Sequence, residues 1–207
     1  MTALQASVGI NSSHRQGSRP VSGYDRTGFD FYCEPRWAVD ALLDAEHFFG
    51  PILDPACGKG NIVDTCWDRG LEARGFDIAD RSRGRFSRGD FLDTRTLVPM
   101  SIICNPPFSL AERFIERALG LAQHKVAMLL RWSFAEGGTG RTAKAKLRAW
   151  CLDVAPLARV YCFANRVSMP PGDSALEAKG GAVAFGWFVW CKDHKGPPTF
   201  HRLRRPA

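Results

Sequence analysis

The chain has 207 residues, of which 45% are hydrophobic and 24% charged, with a formal net charge of +7. This size suits one domain with a substantial core, and the positive charge is compatible with a polyanionic partner such as nucleic acid without requiring one. The seven cysteines lack CxxC or Cys/His spacing and the longest apolar run is "AVAFGWFVWC", which argues against a zinc site and a membrane span and predicts a cytoplasmic protein with reduced thiols.

The N-terminal half predicts a tail followed by alternating helices and strands. Residues 1–29 are rich in Ser, Gly and Arg without a period, so we expect a flexible tail before one domain over residues 30–207. A helix follows in "RWAVDALLDAEHFF", and "PILDPACGKGN" predicts a strand, a glycine turn and a helix that ends near Arg69. The stretch "EARGFDIAD" predicts a second strand, and a third precedes "GDFLD".

The C-terminal half continues the alternation. The strand "SIICNPP" precedes the amphipathic helix "SLAERFIERALGLAQ", for which Ser109 and Glu112 predict a capping box. The strand "KVAMLLR", a helix in "RTAKAKLRAWCLD" and the strands "ARVYCF" and "AVAFGWFVWCK" follow. The order predicts a doubly wound α/β fold with a mainly parallel sheet, whose last two strands form an antiparallel pair at one edge.

The stretch "LDPACGKGN" places Asp54 at a strand end and Gly58 and Gly60 in the turn before a helix. Such a turn lets backbone N–H groups approach a ligand closely. Asp77 closes the next strand, where dinucleotide-binding folds place an acid that accepts hydrogen bonds from ribose hydroxyls. The pattern favours a nucleoside cofactor, and a glycine turn followed by a surface acid is the structural alternative.

Asp90 and Phe91 follow the third predicted strand. In a nucleoside site the acid could accept a hydrogen bond from an adenine amino group while the aromatic ring packs on the base. A helix start that is capped by Asp90, with Phe91 in the core, explains the same two residues. Both interpretations stay open at this point.

The stretch "NPPF" follows a buried strand, and its two prolines make its backbone stiff. Proline has no N–H and forces the preceding residue toward extended geometry, so Asn105 Oδ1 and the Pro106 carbonyl become acceptors on a rigid support. They can hold both hydrogens of a planar amine and direct its lone pair at an electrophile. Stacking of Phe108 on the base would contribute about 1–3 kcal/mol to binding. A Pro-Pro turn with Phe108 in the core is the alternative.

In this order, "DPACGKG", "GFDI", "GDFLD" and "NPPF" resemble the motifs of amino-group methyltransferases that use S-adenosylmethionine, especially N6-adenine DNA methyltransferases. "WAVDALL", "NPPFSLAERF" and "AVAFGWFVW" further resemble small adenine-methyltransferase-like proteins of phages and prophages. The resemblance spans residues 31–200 and implies a Rossmann-like class I methyltransferase fold with a seven-stranded sheet. It implies N6 methylation of adenine in DNA by a catalytic domain without a separate target-recognition domain.

Carried over by position, the resemblance also implies the site residues. The target amine is handled by Asn105, Pro106, Pro107 and Phe108. S-adenosylmethionine is bound by Tyr32, Pro35, Asp54, Pro55, Ala56, Gly58, Gly60, Asp77, Ile78, Asp90, Phe91 and Asn105. Candidate phosphate contacts, with a solvated charged face as the alternative, are Arg131, Arg141, Lys144, Lys146 and Arg148.

One position departs from the family pattern, because many relatives have Thr-Pro where this chain has Glu34 and Pro35. We expect Glu34 to turn away, with Tyr32 or backbone N–H groups taking over the contact to the cofactor carboxylate. A duplex adenine must be flipped out to reach such a site. Sequence specificity is left to the 163–181 segment, the tails, a partner or a homodimer.

The choice of substrate stays open on the sequence alone. Adenine in RNA and a protein glutamine amide are alternative substrates, because the same acceptors suit any planar amine. A non-catalytic nucleic-acid-binding or cofactor-binding module that retains the fold is the alternative of a different class. The positive net charge favours nucleic acid over protein.

Overall fold

The computed structural model describes residues 31–94, 98–170 and 183–205. The predicted tail over residues 1–29, and residues 171–181 of the segment expected to contribute to specificity, lie outside this part. The helices are α1 Arg36–Ala45, α2 Asn61–Asp68, α3 Ala111–Leu121 and α4 Ala143–Ala149. The strands are β1 Ile52–Asp54, β2 Ala73–Asp77, β3 Ser87–Arg88, β4 Ser101–Cys104, β5 Lys125–Arg131, β6 Leu157–Phe163, β7 Phe185–Cys191 and β8 Thr199–Leu203.

The strands form one sheet in the order β3-β2-β1-β4-β5-β7-β6-β8. All run parallel except β7, which is antiparallel to both β5 and β6. The mainly parallel sheet and the antiparallel pairing of the last two predicted strands are confirmed. The expected number of seven strands is wrong, because β8 adds an eighth strand beside β6. Its sequence "TFHRL" is short and mostly exposed, so it lacks the apolar pattern of a buried strand.

Strand β7 shows why the fold is doubly wound, since its successive side chains enter two separate cores. Trp187 packs with α1 and α2 on one face, and its indole N–H donates to the Ala38 carbonyl at 2.9 Å. Trp190 packs with α3 on the other face and donates to the Cys151 carbonyl at 2.8 Å. A strand buried on both faces reads as a continuous apolar run, as this one does.

The predicted capping box of α3 does not form. A short 3-10 helix over Phe108–Leu110 precedes α3, whose N-cap is Leu110 with no side-chain hydrogen bond. Glu112 is buried, and its carboxylate instead accepts from Arg148 at 2.6 Å. A charged tertiary partner therefore outcompetes the local cap, since a buried carboxylate needs a cation more than a helix end needs a cap.

The strand order reverses between β1 and β4. Chain connections leave a crevice at such a point, over the carboxyl ends of the parallel strands. The residues that follow β1, β2, β3 and β4 therefore converge at one edge of the sheet. This edge is where the sequence places its predicted site.

Other features predicted from composition concern thiols, metals and membranes. All seven cysteines are free thiols. Over residues 31–94, 98–170 and 183–205, no group of His, Cys, Asp and Glu is arranged to hold a metal ion. No helix within the same ranges is long and apolar enough to cross a membrane.

Glu46 ties the end of α1 to the sheet. Its buried carboxylate accepts from Lys125 Nζ at 2.8 Å, from the Tyr161 hydroxyl at 2.8 Å and from Arg159. Burial alone would raise the pKa of Glu46, but the hydrogen bonds from Arg159, Lys125 and Tyr161 outweigh burial and lower it. The network joins the first helix to β5 and β6.

We expect Glu46→Ala to lower the free energy of unfolding by about 3 kcal/mol, because two cations lose their shared buried acceptor. Urea unfolding at neutral pH measures the change. The control is Glu72→Ala, which removes an exposed carboxylate that pairs with Arg74 and should cost less than about 1 kcal/mol. Equal losses in the two variants would contradict the structural role of Glu46.

Candidate active site

A cleft lies over the carboxyl ends of β1 to β4, with about 770 Å³ of space including its open mouth. The predicted residues that line it are Tyr32, Pro55, Ala56, Gly58, Asp77, Ile78, Asp90, Phe91, Asn105 and Pro107. The predicted residues that lie behind or beside its lining are Pro35, Asp54, Gly60, Pro106 and Phe108.

The turn after β1 requires glycine at two positions. Gly58 has φ +53°, and a Cβ atom there would lie 2.5 Å from Phe31 Cε2. Gly60 has φ +97° and begins α2, and a Cβ atom there would collide with the Phe86 ring. Both positions are therefore strained for any residue with a side chain. Gly58 is buried but lines the cleft, and its N–H donates to the Asp77 carboxylate.

Asp77 lines the cleft beside this turn. Its carboxylate accepts from the Gly58 N–H and the Ala79 N–H, each at 2.9 Å, and forms an ion pair with Arg81. The Arg81 guanidinium lies 4.4 Å from the centre of the Phe31 ring. If the ribose of a nucleoside cofactor donates hydrogen bonds to Asp77, its hydroxyls and Arg81 would bind the same carboxylate. The sequence also suggested Arg81 as a phosphate contact, but its guanidinium pairs with Asp77. Its contact with Phe31 was not predicted, since it is made only in the folded chain.

Asp90 and Phe91 satisfy parts of both interpretations. Asp90 Oδ1 accepts from the Leu92 N–H at 2.8 Å, so the acid stabilises its own turn. Phe91 is 1% exposed and packs at 5.1 Å on the Phe114 ring, as a core residue does. Both residues nevertheless line the cleft. They form a fixed wall on which a planar ring could pack.

Asp54 lies beneath the turn. It is 2% exposed, and its Oδ1 accepts from the Ala56 N–H at 3.2 Å. Burial, with the nearby charge of Glu34, raises the pKa of Asp54 well above its usual value. The acid therefore supports the turn from inside the protein.

Asn105 follows β4 and has an amide that is oriented by its neighbours. Its Nδ2 donates to the Tyr32 carbonyl and to Glu34 Oε2, each at 2.9 Å. Because both partners are acceptors, the nitrogen must face them, and Oδ1 is left on the other side of the amide. Oδ1 is buried and has no hydrogen-bond partner among the described residues. Such an orphan acceptor costs about 1–3 kcal/mol, which points to a function.

The expectation that Glu34 turns away is wrong. Its carboxyl group is directed at Asn105, and the residue is only 7% exposed. Burial raises the pKa of Glu34 to about 7, and the hydrogen bond from Asn105 offsets only part of this increase. The departure from the family pattern at position 34 indicated that this residue has an unusual role. The sequence could not show that Glu34 bonds to Asn105, because the two residues are 71 positions apart.

Phe108 lies beside the cleft. Its ring stacks on Tyr32 with 5.8 Å between centroids and lies 5.6 Å from the Phe185 ring. It is half-buried, which supports the core interpretation, and it lines a second pocket with Arg131 and Arg148. In this conformation a base that stacks on Phe108 would need space next to Tyr32 or Arg131.

The candidate phosphate contacts lie in three different environments. Lys144 donates to the Ser109 carbonyl at 2.8 Å, and Arg148 donates to Glu112, so both hold α4 against the start of α3. Arg141 and Lys146 are exposed. Arg131 lies at the end of β5, next to Phe108.

No family model matches the chain, and no curated protein matches its sequence. Its fold is similar to that of solved methyltransferase structures. One is the modification subunit of a provisionally assigned type I restriction enzyme from Vibrio vulnificus YJ016, with TM-score 0.55, 13% identity and coverage of 85% of this chain and 48% of the subunit. The M protein of the type I restriction enzyme EcoKI has TM-score 0.53 and 12% identity over 78% of this chain and 44% of its own.

A third similar structure is a provisionally assigned RNA methyltransferase from Pyrococcus horikoshii, with TM-score 0.52 and 14% identity. The match covers 80% of this chain and 92% of that one. The chain thus spans about half the length of the two type I subunits. At these identities the comparisons show the fold alone, which is a Rossmann-like α/β fold that these methyltransferase structures share.

The raised pKa of Glu34 predicts a pH dependence of stability. A carboxyl group with a folded pKa of about 7 and an unfolded value of 4.5 binds a proton more readily in the folded state. The parent should therefore lose stability as pH rises from 4.5 to about 7, by up to about 3 kcal/mol at about 1.4 kcal/mol per pKa unit.

Glu34→Gln should flatten this part of the profile, as measured by urea unfolding across the same pH range. Asp54 has a pKa raised in the same direction and is retained in the variant, so some slope remains. An identical slope in parent and variant would show that Glu34 does not titrate in this window.

Proposed function

We propose that the protein transfers a methyl group from S-adenosylmethionine to the exocyclic N6 amino group of adenine in DNA. The observation that carries the proposal is the orphan acceptor Asn105 Oδ1, held on a rigid Pro-Pro elbow in the lining of the cleft. A target amine is the kind of group that would satisfy it, since it brings two N–H donors.

The cleft residues fit S-adenosylmethionine. Gly58 lines the cleft, and the buried Tyr32 hydroxyl has no partner among the described residues. The acids Glu34 and Asp77 suit a ligand with cationic and hydroxyl groups, and Phe91 suits its adenine ring. The cofactor would supply an electrophilic methyl group on a cationic sulfur.

The chain's own contribution is to position and activate the amine. Asn105 Oδ1 and the Pro106 carbonyl accept its two hydrogens, which favours a pyramidal nitrogen with a free lone pair. Accepted hydrogen bonds also stabilise positive charge on that nitrogen as it reacts. The surplus proton leaves to water, so no protein base is required.

The cysteines of the two motifs are unsuited to covalent catalysis. Burial raises the pKa of Cys57 and that of Cys104, so both are thiols at neutral pH. A thiol is a poor nucleophile, because the thiolate is the reactive form. This supports direct transfer to the amine of the substrate.

Nucleic acid is the substrate class that the charge favours, with a net charge of +7 and Arg131 beside the site. A duplex adenine would have to be flipped out, at a cost that stacking on an aromatic ring offsets in part. RNA adenine is the second candidate, because one of the similar folds belongs to a provisionally assigned RNA methyltransferase. Mass spectrometry of nucleosides from DNA and RNA of expressing cells tests the two substrates in parallel.

Asn105→Ala should reduce methyl transfer by about 100-fold or more, the usual loss when one preorganised hydrogen-bonding group is removed from a reaction centre. The affinity for S-adenosylmethionine should fall far less, because the lost acceptor faces the amine and loss of the Nδ2 donor reaches the cofactor only through the pKa of Glu34. Single-turnover transfer of a labelled methyl group and calorimetry measure the two quantities.

The control for this variant is Asn165→Ala, which removes an exposed amide that accepts only from the Arg205 N–H among the contacts described. It should leave both quantities near the parent values. Normal transfer by Asn105→Ala would refute the role of Asn105. Cofactor binding by the parent without transfer to DNA, RNA or protein would favour a non-catalytic module.

The position of Glu34 also predicts how pH affects cofactor binding. The reacting methyl group must lie near Asn105, whose Nδ2 is 2.9 Å from the Glu34 carboxylate. S-adenosylmethionine should bind more tightly as pH rises through about 7, because ionised Glu34 attracts the cationic sulfur. S-adenosylhomocysteine, whose sulfur is neutral, should respond less, and Glu34→Gln should flatten the response to S-adenosylmethionine.

Calorimetry with both ligands below and above pH 7 checks this prediction. Asp54 and Asp77 also influence the local charge, and both are retained in the variant, which therefore isolates Glu34. Equal pH responses for the two ligands would contradict the placement of the sulfonium beside Glu34.

A further inference from the structure

A second pocket of about 460 Å³ lies beside Phe108. Its polar lining consists of Arg131, Ser133 and Arg148, and the Phe108 and Phe134 rings form its apolar walls. Phe108 belongs to the same "NPPF" elbow as Asn105 and contacts Tyr32, which lines the cleft. The pocket therefore adjoins the site that would hold the target amine.

Arg131 is the unusual group in this pocket. Its guanidinium lies 4.5 Å from the centre of the Phe108 ring, and its Nε is buried without a hydrogen-bond partner among the described residues. Within the same residues no carboxylate forms an ion pair with it. A buried donor without an acceptor is unfavourable, so an acceptor in the pocket would stabilise it.

The charged side chains around the pocket also favour binding of an anion. Glu112 is the buried carboxylate that bonds to Arg148, at 2.6 Å and 2.9 Å, and it also lies 3.5 Å from Lys144 Nζ. Glu112 is thus shared by Arg148 and Lys144, and it forms no ion pair with Arg131 among the described residues. The excess positive charge and the serine hydroxyl suit a group with several oxygen atoms. Guanidinium groups bind phosphate with two parallel hydrogen bonds, which carboxamide or hydroxyl ligands cannot match.

We propose that this pocket binds a phosphodiester group of the substrate strand next to the target nucleotide, with Arg131 as the main donor. The proposal rests on the proposed function for the identity of that strand. A nucleotide whose base enters the cleft must leave its backbone outside, and the pocket beside Phe108 is the adjoining basic surface. Binding here would fix the position of the strand relative to the cleft without recognising its base sequence.

Arg131→Gln should weaken binding of a labelled adenine-containing single-stranded oligonucleotide about tenfold, as expected for one hydrogen bond between charged groups. The salt dependence of binding should also decrease in slope by about 1, because one phosphate contact is lost. Arg131→Lys keeps the charge but loses the two-pronged geometry, so its slope should stay near the parent value while its affinity falls. Arg74→Gln is the matched control, since Arg74 is exposed on β2 and pairs with Glu72.

A second measurement localises the contact. Single phosphates of the oligonucleotide are replaced one at a time by neutral methylphosphonates. In the parent, affinity should fall most at a phosphate adjacent to the adenine, and in Arg131→Gln the same replacement should cause no further loss. Deoxyribose and ribose strands form two arms that distinguish DNA from RNA.

The outcomes separate this proposal from the proposed function. Equal salt slopes and affinities for Arg131→Gln and Arg74→Gln, additive losses at every phosphate, or no binding of either strand by the parent would overturn the pocket assignment. Unchanged cofactor affinity and unfolding midpoint in the Arg131 variants exclude a folding defect. Localised binding without methyl transfer would overturn the proposed reaction and leave the phosphate site intact.

Discussion

The site depends on the hydrogen bonds that the Asn105 amide nitrogen donates to Glu34 and to the Tyr32 carbonyl. These bonds connect the segment before α1 to the end of β4, and they decide which side of the amide is free. With the nitrogen held by two acceptors, the oxygen is the group left for a ligand. The orientation is costly, because it leaves a buried acceptor unpaired and a carboxyl group almost out of water. Functional sites commonly retain such costs.

The parallel sheet explains why acids gather there. Parallel strands end at one edge, so Asp54 and Asp77 come close to Glu34 although the three residues are far apart in sequence. Their mutual repulsion is reduced by the Arg81 ion pair and by backbone N–H donors at Asp77. Above about pH 7 ionised Glu34 adds a negative charge that favours a cationic ligand in the cleft. Beyond Phe108 the charge is reversed, because Arg131 lacks a carboxylate partner among the described residues.

Local chemistry made part of this architecture predictable. Gly58 and Gly60 mark the turn because no other residue type fits their backbone, and the two prolines after Asn105 mark the elbow for the same kind of reason. Strand β7 was predictable because burial on both faces leaves a continuous apolar run. These signals are contained in a few adjacent residues, so folding does not change their meaning.

The remaining features depend on partners far away in the chain. Glu112 was predicted to cap α3, but its carboxylate accepts from Arg148. Glu34 was expected to turn away from the site, but it accepts from Asn105. Strand β8 has little pattern of its own and forms because β6 offers a free edge. Charged side chains are the hardest to place from sequence, because several positions can satisfy them until the tertiary structure selects one.

A crystal structure with S-adenosylhomocysteine and an adenine-containing strand tests the central claim most directly. The account predicts that the adenine N6 atom lies within hydrogen-bond distance of Asn105 Oδ1, while Nδ2 stays on Glu34 and the Tyr32 carbonyl. An amide turned over, with Oδ1 away from the base and Nδ2 toward it, would contradict the account.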